Sequence, residues 1–147
     1  MNQPVYSEFE LGRRFVGRLP HGKDLIGCIE DFCIESAIQM ATFSVMGAVS
    51  SATMGAYDQK QHVYVTFTEN TPMEVVTCVG NVSLKDQAPV IHAHIVLGDE
   101  HGKIIGGHLF SDTILFAGEM DLQELVGKPM ERVYDRTTGL FLWRENL

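Results

Sequence analysis

The sequence predicts an α+β fold: a single compact domain in which one long helix packs on a face of a central, antiparallel-rich β-sheet. A chain of 147 residues suits one domain, which we expect to span residues 1–147. Its residues are 45% hydrophobic and 20% charged, as is typical of soluble globular proteins. Many β-rich segments surround one stretch of helical periodicity. The composition excludes disordered, collagen-like and fibrous proteins.

The helix is predicted from Lys23 to Ala41. Leu25 and Ile29 begin a set of apolar residues at helical spacing, which would form the inward face of an amphipathic helix. Asp24 lies in the predicted first turn, where a carboxylate suits the positive end of the helix dipole.

Strands are predicted where β-branched and aromatic residues concentrate, and where apolar and polar residues alternate. A second, short helix is predicted to open at Asp121, because Asp121 and Glu124 resemble a helix cap with its returning carboxylate. Gly127 would end that helix. The predicted strands are 5–18 (one strand or two), 43–46, 48–57, 62–68, 73–79, 90–97, 104–110, 113–119, 132–134 and 140–143.

The N-terminal residues show neither a basic start nor an apolar run, so we expect a cytoplasmic protein without a secretory signal. The uncharged segment 36–57 contains several polar residues and glycines. We interpret it as a buried segment of the core and expect no membrane partner. Cys28, Cys33 and Cys78 form no repeated short spacing, which favours free, buried thiols.

The formal net charge of −8 argues against a large nucleic-acid footprint, which needs clustered lysine and arginine. The most basic stretch is 12–20, where the arginines are interleaved with Phe15 and Val16. That pattern favours the solvated face of an ordered strand over a flexible DNA-binding arm.

Three of the six histidines fall on two neighbouring predicted strands. His92 and His94 are two positions apart, so both side chains point to the same face. A hairpin centred on Glu100 would place His92 opposite His108. It would place His94 opposite Gly106, which leaves room beside that imidazole. A slip of one residue would send the third histidine to the other face.

Three neutral imidazoles suit zinc, and also nickel, copper or iron(II), and would leave a fourth position for water or another ligand. Zinc-bound water has a pKa of roughly 7 and would supply a hydroxide nucleophile. The alternative is that the histidines carry no metal and are hydrogen-bonded within the sheet. Spacing alone leaves both interpretations open.

Several segments of the chain resemble the plants and prokaryotes conserved (PPC) domain family, over about residues 15–119. The His-x-His and Gly-Gly-His elements, in this order and spacing, are the most specific part of the resemblance. The matching segments are 19–25 (LPHGKDL), 47–50 (GAVS), 73–83 (MEVVTCVGNVS), 89–99 (PVIHAHIVLGD) and 102–109 (GKIIGGHL).

The resemblance implies a compact α+β domain that forms homotrimers, with His92, His94 and His108 at the family's metal site. In land plants the domain accompanies AT-hooks in nuclear proteins, and stand-alone prokaryotic members are often labelled DNA-binding. This chain has no AT-hook, which weakens that label here.

Two functions are therefore expected from different classes. The first is a trimeric metal-binding protein with an open coordination position for a small oxygen- or nitrogen-donor ligand, to which no reaction is assigned. Glu74, as a general base or a partner of a ligating histidine, and Arg18 are candidates for additional polar groups there. For Glu74 the alternative is a solvated strand carboxylate. The second function is a non-catalytic assembly or regulatory module that binds DNA or a DNA-binding partner.

Overall fold

The computed structural model describes residues 3–144, which contain nine strands and one helix. Strands make up 63% of the structure and the helix 8%. The elements are β1 (Glu10–Leu19), α1 (Leu25–Glu35), β2 (Ala41–Asp58), β3 (Val63–Glu69), β4 (Met73–Lys85), β5 (Ala88–Gly98), β6 (Ile104–Leu109), β7 (Ile114–Val126), β8 (Glu131–Asp135) and β9 (Leu140–Arg144).

The predicted α+β fold with a long helix on a central sheet is wrong, because the helix has only 11 residues. It ends at Glu35 rather than near Ala41. Ala37 adopts a left-handed φ of 54°, and the Ile38 N–H donates to the Cys33 carbonyl at 2.8 Å, which terminates the helix. The apolar residues that follow lead into β2, and their burial comes from the sheet.

The helix predicted to open at Asp121 is also wrong, since this segment lies inside β7. The Asp121 carboxylate accepts hydrogen bonds from Arg14 at 2.6 and 3.0 Å. The Glu124 carboxylate accepts side-chain hydrogen bonds from Arg13 at 2.7 and 2.8 Å. The two carboxylates therefore bind the neighbouring strand instead of capping a helix. The basic stretch is an ordered strand, as predicted.

Strand β2 organises the sheet because it pairs with four other strands. Its first half pairs with β4 and β7, and its second half with β3 and β6. The order β1-β7-β2-β6-β5-β4-β8-β9, together with the β2–β4 pairing, closes a circuit of β2, β6, β5 and β4. In a closed circuit β5 and β6 have no free edge. Each strand is paired on both sides, which fixes its register with its neighbours.

The core lies between the inner face of this sheet and α1. Asp24 caps the helix by accepting from the Gly27 N–H at 2.9 Å, and it also accepts from the Thr113 N–H at 3.0 Å, beside the start of β7. No helix in residues 3–144 is long and apolar enough to cross a bilayer. The largest fully buried side chains include Leu25, Ile29, Ile38, Met54, Ile95, Leu97, Leu109, Leu115 and Leu122.

Candidate metal centre

A tight turn joins β5 to β6 and sets their register. The Asp99 carboxylate accepts hydrogen bonds from the N–H groups of His101 and Lys103 at 2.9 and 2.8 Å. The Asp99 N–H donates to the Lys103 carbonyl at 2.9 Å. Gly102 supplies the left-handed φ of 77° that this turn requires. The Asp99 hydrogen bonds and the left-handed glycine thus close the hairpin.

The register differs from the predicted one, because the hairpin is centred one residue further along the chain. His94, rather than His92, lies opposite His108. Gly106 lies opposite Val96, so its predicted pairing with His94 is wrong. The observed register changes every cross-strand partner by two positions. Residues two positions apart on a strand lie on the same face of the sheet. All three histidines therefore still share one face of the sheet.

These three residues, His92, His94 and His108, form the histidine cluster. One ligand nitrogen from each lies within 4.8 Å of those of the other two. The ring centroids are 5.1 to 5.5 Å apart. Nitrogens around a tetrahedral zinc at ~2.0–2.1 Å lie about 3.3 Å apart, so small side-chain rotations would bring all three onto one ion.

The electrostatics of the cluster favour the neutral form of His92 and His108. Burial, followed by the charges of the neighbouring histidines, lowers the pKa of His108 to about 4. Burial, followed by the positive charge of Arg132, also lowers the pKa of His92. A neutral imidazole presents a lone pair to a metal. The donor set and its protonation state therefore fit a divalent transition metal.

Side chains from other strands surround the cluster. The Tyr64 hydroxyl of β3 lies 3.5 Å from Nδ1 of His108, and the two ring centroids are 4.7 Å apart. On β8, Nη2 of Arg132 lies 3.5 Å from Nδ1 of His92. The sequence reasoning missed both neighbours, since no local spacing links β3 or β8 to the β5–β6 hairpin.

Glu74 lies far from the cluster within one chain. It is exposed on β4 opposite Gly98, whereas Asn81 of the same strand lies opposite His92. Seven positions along a strand span roughly 20 Å. Glu74 lines a surface pocket together with Asp99 and Glu100, so within one chain it is a solvated strand carboxylate.

Arg18 is likewise separated from the cluster. It is exposed on β1 opposite Glu119, and β7 and β2 lie between β1 and the β5–β6 hairpin. The structure of one chain brings the three histidines together but not Arg18 or Glu74. Any role of these two residues at the metal stays a prediction about the assembled protein.

The cysteines take no part in the cluster. All three are free thiols; Cys33 and Cys78 are buried, and Cys28 is half-buried. Burial raises the pKa of Cys33 to about 11 and that of Cys78 to about 12. Thiols held in the protonated form are poor metal ligands and nucleophiles. The histidine cluster is the only group of three or more potential metal ligands within residues 3–144.

The Plants and Prokaryotes Conserved (PCC) domain, written PPC above, matches residues 6–126. The chain belongs to this family. Its membership agrees with the resemblance predicted from the segments around the three histidines. None of the curated proteins matches the chain.

Solved structures agree with the PCC assignment. A metal-containing protein from Archaeoglobus fulgidus is 45% identical, with a TM-score of 0.92 over 97% of this chain and 100% of its own. A PPC protein from Pyrococcus horikoshii is 35% identical, with a TM-score of 0.91 over 98% and 99% of the two chains. A Bacteroides thetaiotaomicron protein, provisionally named DNA-binding, is 22% identical (TM-score 0.82, covering 92% and 96%) and shares the fold.

Proposed function

We propose that this PCC-domain protein is a homotrimeric metal-binding protein. In this proposal His92, His94 and His108 hold one divalent transition metal per chain, foremost zinc, with nickel or iron as alternatives. The convergence of three imidazoles, with ligand nitrogens within 4.8 Å of one another, is the observation that carries the proposal. The similar Archaeoglobus fulgidus protein, described as metal-containing, supports it.

The cluster offers three ligands, and a tetrahedral ion needs a fourth. In the proposal that position stays open to solvent and to a small oxygen- or nitrogen-donor molecule. A bound zinc would act there as a Lewis acid and lower the pKa of its water. The chain's own contribution is to hold three imidazoles on one face of the β5–β6 hairpin and to favour the neutral form of His92 and His108. We assign no reaction to the metal centre. The protein is expected to be cytoplasmic.

The apolar surface of β3 supports self-association. Six of its seven residues are exposed, so this strand is uncovered on both faces although it carries valine, tyrosine and phenylalanine side chains. Val65 is 61% exposed and Phe67 44%. Exposed apolar strands mark interfaces, and Tyr64 on the same strand contacts His108. A neighbouring chain seated on β3 would therefore lie beside the metal centre and wall its open position.

Elemental analysis of untagged, unchelated protein tests the metal site. We expect about one transition metal per chain, lost in His92→Ala and in His108→Ala. His101→Ala, on the exposed turn between the same strands, is the matched control and should retain the metal. Native protein that holds no metal after incubation with zinc and iron(II) would refute the proposal and leave a metal-free assembly module.

Analytical ultracentrifugation tests the assembly. We expect a mass three times the 16.4 kDa of one chain. Val65→Glu should dissociate the trimer, because it places a charge on the exposed apolar strand. Ile34→Glu, which adds the same charge to the exposed side of α1, should leave it intact.

Direct DNA binding is the alternative function, and the charges disfavour it. Arg13 and Arg14 are paired with carboxylates of β7 at 2.7 and 2.6 Å. The net charge of −8 would repel phosphates. Retention of duplex DNA at low ionic strength, lost steeply as salt is added, would favour this alternative.

A further inference from the structure

Arg132 is a half-buried cation beside the histidine cluster. Its Nε–H donates to the Ser83 hydroxyl at 3.0 Å, Nη1 donates to the Phe141 carbonyl at 3.2 Å, and Nη2 donates to the Asn81 side-chain oxygen at 3.0 Å. Its Nη2 also lies 3.5 Å from Nδ1 of His92. The three hydrogen-bonded oxygens belong to neutral groups, so they hold the guanidinium in place without neutralising its charge.

The positive charge of Arg132 has no carboxylate partner within residues 3–144. The ion pairs in this part of the chain involve Arg13, Arg14 and His101. Burial lowers the pKa of Arg132, and Tyr64 is the neighbour whose charge opposes this effect. A half-buried, unneutralised guanidinium is costly to keep, which makes it a candidate for binding an anion.

One N–H of Arg132 remains available to a ligand. A guanidinium has five N–H groups, and the oxygens above accept from three of them. A fourth, on Nη2, is directed at Nδ1 of His92, so one N–H on Nη1 has no acceptor in the described chain. A carboxylate oxygen would accept from it in a charge-assisted hydrogen bond.

A surface pocket of about 350 Å³ is lined by residues that contact Arg132. His92, His94 and Asn81 line it, together with Trp143. The guanidinium carbon of Arg132 lies over the Trp143 ring at 4.9 Å. The indole N–H of Trp143 is buried and has no acceptor among residues 3–144. The pocket thus combines two metal-ligating imidazoles with an adjacent cation and apolar walls.

The total charge of the loaded site points to the sign of its ligand. Three neutral imidazoles add nothing to the +2 of the ion, and Arg132 adds +1, with no carboxylate in the cluster to offset either. We infer that the ligand of the open position is a small carboxylate, bound by the metal through one oxygen and by the charged guanidinium of Arg132 through the other. This inference rests on the proposed metal site and names the class of molecule that it takes.

The test uses the 147-residue chain loaded with Co²⁺, whose visible spectrum reports the ligands of the ion. Acetate is the probe, and uncharged acetamide is the comparison. We expect acetate to change the wild-type spectrum saturably. Arg132→Gln should weaken acetate binding about 10- to 100-fold, since it removes charge-assisted hydrogen bonds, and should leave acetamide binding unchanged. Arg136→Gln, in the exposed turn between β8 and β9, is the matched control.

A second measurement separates this role from a merely structural one. Without acetate or another coordinating anion, Arg132→Gln should bind Co²⁺ about three- to tenfold more tightly than wild type, because a repelling cation is gone. A residue that only braces Asn81 and Ser83 would instead lower Co²⁺ affinity when removed. If Arg132→Gln does not fold, Arg132→Lys replaces it. The lysine variant retains the charge without the fixed planar donors of the guanidinium and should bind acetate about three- to tenfold more weakly.

The outcomes distinguish a failure of the metal site from a failure of the carboxylate inference. Wild-type protein that takes up no Co²⁺ would overturn the metal site and the carboxylate inference together. Co²⁺ uptake with acetate affinity equal in wild type, Arg132→Gln and Arg132→Lys would overturn the carboxylate inference alone. A loss of acetate affinity confined to the Arg132 variants supports it.

Discussion

The two faces of β5 have opposite characters. Its inward residues are buried, and Leu97 is 0% exposed within the hydrophobic core. Its outward residues include His92, which is half-buried, and His94, which is exposed. The backbone and the pairing with β4 and β6 are common to both faces. One strand therefore supplies stability on one side and candidate chemistry on the other.

This difference shows how the histidine cluster can be built without weakening the fold. Core packing holds the β5–β6 pairing from below, so the imidazoles above need no contact with one another to stay in place. The outward side chains are free to serve a ligand. The inward face should therefore control stability and the outward face metal binding, and three predictions test that separation.

The largest effect is expected from Leu97→Ala on the inward face. Removing a fully buried leucine leaves a cavity, and the free energy of unfolding should fall by about 2–5 kcal/mol. Urea denaturation measures it, and folded variant protein should still bind metal. Ile104→Ala, exposed at the start of the adjacent strand β6, is the control and should change stability by less than about 0.5 kcal/mol. Equal losses in both variants would contradict the separation.

A smaller effect, on both stability and metal binding, is expected from Gly107→Ala. A Cβ at this position would lie 2.5 Å from the backbone oxygen of Gly55 on β2. Strand β6 would have to move away, which should cost about 1–3 kcal/mol and displace the adjacent His108.

Gly17→Ala on β1 is the matched control, because an added Cβ there has no neighbour within 4 Å. Urea unfolding and metal titration of both variants measure the loss of stability and the change in metal affinity. Unchanged metal affinity in Gly107→Ala would show that the cluster tolerates a moved β6.

The smallest effect, taken per pH unit, is the pH dependence of the stability of the metal-free protein. His108 has a folded pKa of about 4, below the ordinary value of 6.5, because of its burial and its histidine neighbours. The unfolded chain thus binds the proton more readily, so stability is highest above pH 6.5 and falls as the pH decreases towards 4. One proton contributes at most about 1.4 kcal/mol per pH unit.

His108→Gln should flatten this slope in urea denaturation of chelated protein between pH 7.5 and 4.5. His101→Gln, at the exposed turn, should reproduce the wild-type slope. A slope that is identical in all three proteins would show that His108 is solvated in the folded state.

The shared face of the three histidines could be predicted from sequence, although their register could not. A strand alternates with period two, so His92 and His94 must point the same way. The predicted centre of the turn was wrong by one residue, because the Asp99 side chain organises a loop that spacing alone does not specify. The cluster survived the error since the resulting shift was even.

The helix boundaries and β7 could not be predicted because local patterns there compete with tertiary partners. Ile38 and Met40 continue an apolar periodicity, yet they are buried as the chain enters β2. Asp121 and Glu124 have the spacing of a helix cap, but β1 offers arginines and a free strand edge. Long-range pairing outweighed local propensity in both cases.

Local sequence determined which residues are the candidate ligands: three imidazoles on a hairpin closed by an aspartate-glycine turn, within a family-specific set of segments. Tertiary structure alone decided what surrounds them. Tyr64 and Arg132 lie 44 residues from His108 and 40 from His92, and they reach the cluster only through the packing of β3 and β8. Side-chain alternation is a local property of the backbone, whereas the charge and shape of a pocket depend on strands that sequence distance does not relate.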